Sequence, residues 1–340
     1  MKETLRGFAA RAVVASGLAR LGRRFGDRAG TMILYGHRVA DDDEAFFQGL
    51  PPRWFADQLA YLTRHYEVIP LATLTACITE QRAPPPASVV LTFDDGFRDN
   101  YEEAWPILER FGVTATFFVV TESLTDGRLP WSQRLGYVFQ RTDRQEVSHP
   151  MFGAEPVTLA GEQQRRHVYA RAMAALAPLP RTERDARIEA LAASLGVEPP
   201  RDRMMTWAHA RTMLDAGQEI GAHTYSHALL AAVHPDEARW EMERSKSDVG
   251  ERLGIERPAF CFPAGSTSPT LRGLAREIGF ASCFVPNRRQ RINRPGSVDP
   301  FSLVRVGLPN RPAVELEAEL DGPFHSMRRM AGRYRRGGDR

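Results

Sequence analysis

Apolar runs of strand length alternate with helix-patterned segments from residue 31 onward, and clusters of polar, chemistry-bearing residues fall where those runs end. The alternation points to an α/β fold in which strands joined through helices form a parallel sheet. Seven or so such strands, each apolar along most of its length, need helices over them, and that number curls into a barrel. In barrels of this kind chemistry gathers at the carboxyl ends of the strands.

Each element has its own signal. TMILYGH is the first strand; Phe55, Leu59, Leu62 and Tyr66 then recur at helical spacing in RWFADQLAYLTRHY, and VIPL returns to strand. LATLTACITE is a short helix stopped by the prolines of QRAPPPA, and SVVLTF is the next buried strand. Tyr101, Ala104, Trp105, Leu108 and Phe111 form one helix face that Gly112 ends, and VTATFFVV is another apolar strand. From about 127 to 205 the rhythm breaks: the helices GEQQRRHVYARAMAALA and TERDARIEALAASLG, separated by PLPR, read as a helical insertion placed to cap a site. The alternation resumes with the helix WAHARTMLDAG, the strand QEIGAH, the helix PDEARWEMERSKSDVGERLG, the strand AFCFPAG and the helix SPTLRGLAREIG. The strands FASCFV and FSLVRV complete it.

The 340 residues are 43% hydrophobic, enough for a sizeable core. With 45 Lys+Arg against 42 Asp+Glu the net charge is only +3, and no nucleic-acid partner is expected. The basic surplus is local, in residues 1–30 and in 311–340, which reads as a basic tail outside a main domain spanning 31–310. The first segment carries Phe8, Val13, Leu18 and Leu21 among arginines, a loose amphipathic helix, and Arg11 interrupts any signal-peptide core. No apolar run of about 20 residues would cross a membrane. Cys77, Cys261 and Cys283 are odd in number and widely spaced, which argues against a disulfide framework and for a reducing cytoplasm. The amphipathic start is expected to touch a membrane from the cytoplasmic side as a peripheral contact.

Four features end strands: His37, Asp94-Asp95-Gly96, His223-Thr224-Tyr225-Ser226-His227, and Pro263-Ala264-Gly265. An H-x3-H pair alone is a weak metal signal, and an Asp-Asp-Gly alone is usually a turn. Placed together at successive strand ends they call for one explanation: two histidines and one aspartate holding a divalent ion with open positions. Neighbouring residues on an extended strand point opposite ways, so Asp94 and Asp95 share a site only if the chain bends at Gly96. One is then expected on the metal and one on the water. His209, His234 and His325 lack such partners and are expected at the surface. Trp131, in RLPWSQRL, could stack its ring face on a substrate, although core packing is the commoner fate of a tryptophan. Tyr225 is as suited to propping the histidines as to touching substrate.

On TFDDG, HTYSH and FCFPAG, in that order and over residues 31 to 310, the sequence resembles the polysaccharide deacetylase family, the NodB-homology group of metal-dependent carbohydrate esterases. The resemblance implies a distorted (β/α)7 barrel and hydrolytic removal of acyl groups, typically acetyl from N-acetylglucosamine units of a glycan. It implies Asp94 as general base, Asp95, His223 and His227 as ligands of a divalent metal (zinc first, cobalt as an alternative), and the backbone N–H of Ala264 as an oxyanion donor. Many relatives carry an arginine and an aromatic residue in the third motif where this chain has Cys261 and Ala264, so Arg305, on the last strand, is the substitute expected to tune Asp94. The late Leu-x-His motif is missing. LYGHRV resembles the strand of relatives such as the poly-N-acetylglucosamine deacetylases, and His37 is the general acid this implies.

The expected function is therefore deacetylation of an N-acetylated sugar in surface-glycan synthesis. A deformylase or deacylase of a lipid-linked sugar or a non-sugar amide, and a catalytically silent glycan-binding module, are the alternatives. The complete set Asp94, Asp95, His223 and His227 argues against silence, since binding alone needs no water-activating group.

Overall fold

The computed structural model describes residues 2–25, 28–42, 44–153, 155–286 and 290–322. In chain order it contains α1 (Lys2–Ala15), α2 (Leu18–Phe25), β1 (Thr31–Gly36), α3 (Pro52–His65), β2 (Glu67–Val68), α4 (Leu71–Thr79), β3 (Ser88–Phe93), α5 (Trp105–Phe111), β4 (Ala115–Val119) and α6 (Thr121–Asp126). The insertion follows as α7 (Trp131–Arg141), β5 (Glu146–Val147), β6 (Val157–Thr158), α8 (Glu162–Leu176) and α9 (Arg181–Ser194). The chain then forms α10 (Trp207–Asp215), β7 (Glu219–Ala222), α11 (Pro235–Leu253), α12 (Pro269–Ile278), β8 (Phe284–Val285), β9 (Ile292–Asn293), β10 (Leu303–Gly307) and α13 (Ala313–Leu320).

The main sheet runs β7-β4-β3-β1-β10-β8, parallel throughout, with β2 added beside β3 and β9 antiparallel to β1. Phe260 joins its two ends by parallel bridges to Ala222 and to Cys283. The distorted barrel expected from the sequence is thus present, and AFCFPAG is its weakest stave. That segment is a single bridged residue rather than a strand. Pro258 and Pro263 flank it, and neither can donate to a ladder. It is held by Cys261 N–H to Ala222 O at 2.9 Å and Phe260 N–H to Ser282 O at 2.8 Å.

Alternation along the strands sorts side chains into two layers. Ile33, Val90, Phe118, Cys261, Phe284 and Leu303 fill the barrel interior, whereas Leu34, Leu91, Phe93, Phe117 and Val119 pack outward beneath the helices. Gly221 lets β7 approach β4 closely, since a Cβ there would stand 2.5 Å from the Phe118 ring. The insertion has a core of its own, built on Trp131, Leu135, Val138, Phe139, Ile188 and Leu191, and a small hairpin that helical patterning did not anticipate.

The ends differ from expectation. The 311–340 segment does not begin as a tail: α13 packs against α1 and α3 with Leu316 fully buried. Arg23 of α2 reaches Asp321 at 2.9 Å and Glu317 at 3.2 Å, and Tyr66 donates to Asp321 at 2.6 Å, tying both termini to α3. No helix among the described residues is long and apolar enough to cross a membrane.

Candidate active site

β3 delivers Asp94 and Asp95 to the barrel mouth, 3% and 1% exposed. The bend that lets them share a site lies one residue earlier than expected: Asp95 itself is left-handed, at φ 77°, and Gly96 follows at φ 78°. Of six non-glycine residues with positive φ among those described, Asp95, Thr224, His227 and Ala264 belong to this site. Such conformations are strained for L-residues and persist where surroundings over-determine them.

Three atoms converge. Asp95 Oδ1 lies 3.3 Å from His223 Nε2 and 3.2 Å from His227 Nε2, and no donor among the described residues satisfies it. In neutral rings neither Nε2 carries a proton, given the partner that each Nδ1 has. His223 Nδ1 sits 2.7 Å from Cys261 O, a carbonyl that can only accept, so the proton is on Nδ1. Ser132 Oγ, 3.2 Å from His227 Nδ1, gives its own proton to Gln133 Oε1 at 2.5 Å and so accepts from the ring. A buried carboxylate oxygen facing two bare imidazole lone pairs is unfavourable unless a cation lies among them. A tetrahedral zinc site with bonds of about 2.0–2.1 Å has ligand–ligand edges of about 3.3–3.4 Å, close to these separations. The residues present therefore fit a divalent metal.

Asp94 is held differently. Arg305 donates Nη1 to Oδ1 and Nη2 to Oδ2, both at 2.7 Å, and Nη2 also reaches Cys261 Sγ at 3.0 Å. The guanidinium lies 4.6 Å from the ring centres of both Tyr35 and Phe284. Burial alone would raise the Asp94 carboxyl, but the Arg305 charge and hydrogen bonds outweigh it and hold the group below its usual range. Burial likewise acts against Asp95, and positive charge among the His227 and His223 rings holds that carboxyl well below its ordinary value. Asp94, His223 and Cys261 also lie within ligand distance of one another. They make a poorer metal set, because Arg305 already neutralises Asp94 and burial pushes the Cys261 thiol up.

His37 ends β1, exposed at the mouth, close enough for its charge to lower both carboxyl groups. Its carbonyl accepts from Asn100 Nδ2 at 2.8 Å, at the start of a π-helical turn, Asn100–Ala104. Ala264, at φ 51°, lies in a turn whose hydrogen bonds run from Gly265 N to Phe262 O and from Ser266 N to Pro263 O. Those bonds leave its own N–H out.

Other expectations change. Trp131 is 1% exposed and donates Nε1 to His227 O at 2.9 Å, so it braces the site and cannot stack on a sugar. Tyr225 packs on Trp240, with ring centres 5.0 Å apart, beneath Arg181 and Arg244. His234 is exposed at the start of α11, whereas His209 is half-buried, stacked on Tyr101 and capping α10; His325 lies outside the described residues. Two site residues escaped the sequence reading. Gln133 donates Nε2 to Asp95 Oδ2 at 2.7 Å, and Ser132 meets His227, both from the first turn of α7.

Comparison with known proteins now decides the family. The profile described as "Polysaccharide deacetylase" matches residues 81–283. The chain belongs to the polysaccharide deacetylase family. A 76-residue stretch is 30% identical to the putative polysaccharide deacetylase YxkH of Bacillus subtilis, covering 22% of this chain and 27% of that protein. Deacetylases of solved structure share the fold. The Streptococcus pyogenes deacetylase PplD in complex with acetate aligns with a TM-score of 0.57 at 18% identity, over 85% of this chain and 97% of that one. IcaB from Ammonifex degensii gives 0.55 at 21%, over 85% and 96%. A de-N-acetylase from Aggregatibacter actinomycetemcomitans gives 0.53 at 17%, over 83% and 95%.

Proposed function

We propose that this polysaccharide deacetylase removes N-acetyl groups from an N-acetylated glycan, with a divalent metal on Asp95, His223 and His227. The observation that carries the reading is Asp95 Oδ1, buried without a donor between two imidazole Nε2 atoms, beside a second carboxylate kept ionised by Arg305. The family supports it, as do structural relatives described as a de-N-acetylase and as a deacetylase in complex with acetate.

A divalent ion at these ligands supplies a more acidic water and a Lewis acid for the acyl carbonyl. Asp94 takes a proton from the attacking water as its oxygen bonds to the acyl carbon. Arg305 holds that carboxylate in place and ionised. The Ala264 N–H donates to the oxyanion, and protonated His37 gives its proton to the departing nitrogen as the C–N bond breaks, leaving acetate and a free amine.

The test is acetate release from N-acetylglucosamine oligomers by protein loaded with zinc or cobalt. Release that Asp94→Asn abolishes supports the reading. Absence of release from soluble oligomers and from lipid-linked N-acetylated sugars alike would overturn it.

A further inference from the structure

The geometry points to the first turn of α7, Trp131-Ser132-Gln133, as the device that orients two of the three metal ligands, with Gln133 a positioning residue for Asp95 and Ser132 for His227. The inference rests on the metal reading above and goes beyond it, because these residues lie in the insertion, outside the barrel that bears the ligands.

The hydrogen bonds form a chain with one direction. His227 Nδ1–H donates to Ser132 Oγ at 3.2 Å, Ser132 Oγ–H to Gln133 Oε1 at 2.5 Å, and Gln133 Nε2–H to Asp95 Oδ2 at 2.7 Å. Gln133 cannot be turned over, since its carbonyl oxygen would then face a carboxylate that has nothing to donate. With that orientation fixed, Ser132 has one proton and gives it to Gln133, so its lone pair is left for His227. The chain therefore selects the His227 tautomer whose Nε2 is free, and it occupies Asp95 Oδ2 so that Oδ1 is the atom left over. Ser132 and Gln133 are 5% and 6% exposed, so water does not compete for these bonds.

Two further contacts fix the same loop. Trp131 Nε1–H donates to His227 O at 2.9 Å, and Arg184, from α9, donates to Ser226 Oγ at 2.8 Å while lying 5.1 Å from the centre of the Trp131 ring. The insertion thus acts as a brace on the ligands as well as a cover.

The experiment compares wild type, Gln133→Leu and Ser132→Ala, each stripped of metal and titrated with zinc against a competing chelator, with the visible spectrum of the cobalt form as a report on ligand geometry. Gln133→Leu should weaken zinc binding by about 10–100-fold and alter the cobalt band, and Ser132→Ala should do so by about tenfold. Thermal melting of the metal-free proteins separates this from misfolding, and a variant that melts like wild type yet binds weakly supports the assignment. Wild-type affinity with an unchanged cobalt band in both variants would overturn it. Wild type that binds neither metal would instead sink the metal reading itself, a distinguishable result.

A second observation stands apart from the site. Four large apolar side chains are exposed among the described residues, and Phe8, Leu18 and Leu21, at 74%, 48% and 55%, all lie on α1 and α2. Arg11 and Arg20 are exposed among them, and residues 4–25 contain no acidic side chain. Arg23 is turned inward onto Asp321 and Glu317, which pins α2 with Leu18 and Leu21 facing out. We infer that α1 and α2 dock on an anionic lipid surface, their exposed apolar residues entering the headgroup boundary and the arginines pairing with phosphates. Vesicles of phosphatidylglycerol should sediment the full-length protein and vesicles of phosphatidylcholine should not. Phe8→Ser with Leu21→Ser should release it, and Arg11→Glu with Arg20→Glu should weaken binding by at least about fivefold. Sedimentation that either double variant leaves unchanged, or no binding by wild type, would overturn this inference.

Discussion

Replacing Arg305 by methionine should destabilise the protein in a way that depends on pH. The Asp94 carboxylate is 3% exposed and both its oxygens are met by Arg305 at 2.7 Å. Removing one partner of such a buried pair costs about 3–5 kcal/mol, because the remaining charge has neither water nor counter-ion. Methionine keeps most of the stem that packs between Tyr35 and Phe284, so lost packing should stay below about 1.5 kcal/mol. The buried carboxylate can escape its penalty by taking up a proton. In doing so its folded-state pKa rises above the ordinary carboxyl value, the electrostatic cost setting by how much.

The sign follows from linkage. In the native protein Asp94 titrates below its ordinary value, so its contribution is complete above about pH 4 and fades as pH falls through the lower native pKa. In Arg305→Met the folded-state pKa lies above the unfolded one, so the penalty is absent below about pH 4 and grows as pH rises through the raised value. Urea unfolding of the metal-free proteins at about pH 5 and about pH 8 should show a loss that is larger at the higher pH, by about 1 kcal/mol or more. Adding Asp94→Asn to Arg305→Met should recover most of it. A loss under about 1 kcal/mol, or one equal at the two pH values, would show that Arg305 does not hold the Asp94 charge.

Asp94 and Asp95 should separate cleanly. Asp94→Asn should keep metal affinity near wild type while abolishing acetate release, whereas Asp95→Asn should lose the metal, measured by chelator competition. His37→Ala should lower kcat by about 10²–10⁴-fold with bound metal unchanged, and intact turnover would remove the general-acid assignment. Stripping the metal should abolish acetate release, and returning zinc or cobalt should restore it.

How much of this was legible depended on how local the signal is. Two adjacent carboxylates after a fully apolar strand, or two histidines four residues apart after another, announce themselves within one element. Arg305 was legible through the family resemblance, as the substitute for the arginine that many relatives carry at the Cys261 position, and it reaches Asp94 from β10. Gln133 and Ser132 were not legible, since their partners lie 38 and 95 residues away and nothing in WSQ distinguishes a brace from a helix surface. AFCFPAG kept its apolar pattern but not its strand, because pattern reports burial and the two prolines remove the donors a ladder needs. In the C-terminal segment, composition misled. The basic run dominates the average of 311–340, yet Leu316 and Leu320, four residues apart in AVELEAEL, suffice to seat a helix.

The strained residues explain why the site needs the insertion at all. Asp95, Thr224 and His227 sit in left-handed conformations, each costing on the order of 1–3 kcal/mol. Without the turn at Asp95, strand alternation would aim its carboxylate away from the face that Asp94 occupies. Barrel contacts supply part of the restraint, through His223 N–H to Val119 O at 2.9 Å and Thr121 N–H to Thr224 O at 3.3 Å. The descent from β7 to His227 is held from the insertion by Trp131 on the His227 carbonyl, and from the barrel helix α11 by Glu241 on the Ser226 N–H at 2.8 Å. Met205 N–H, where the insertion rejoins the barrel, donates to Gly96 O at 3.0 Å and fixes the other turn. Both ligand-bearing bends are therefore clamped by residues at the borders of the inserted segment, so loosening its attachment should cost metal affinity before it costs the barrel.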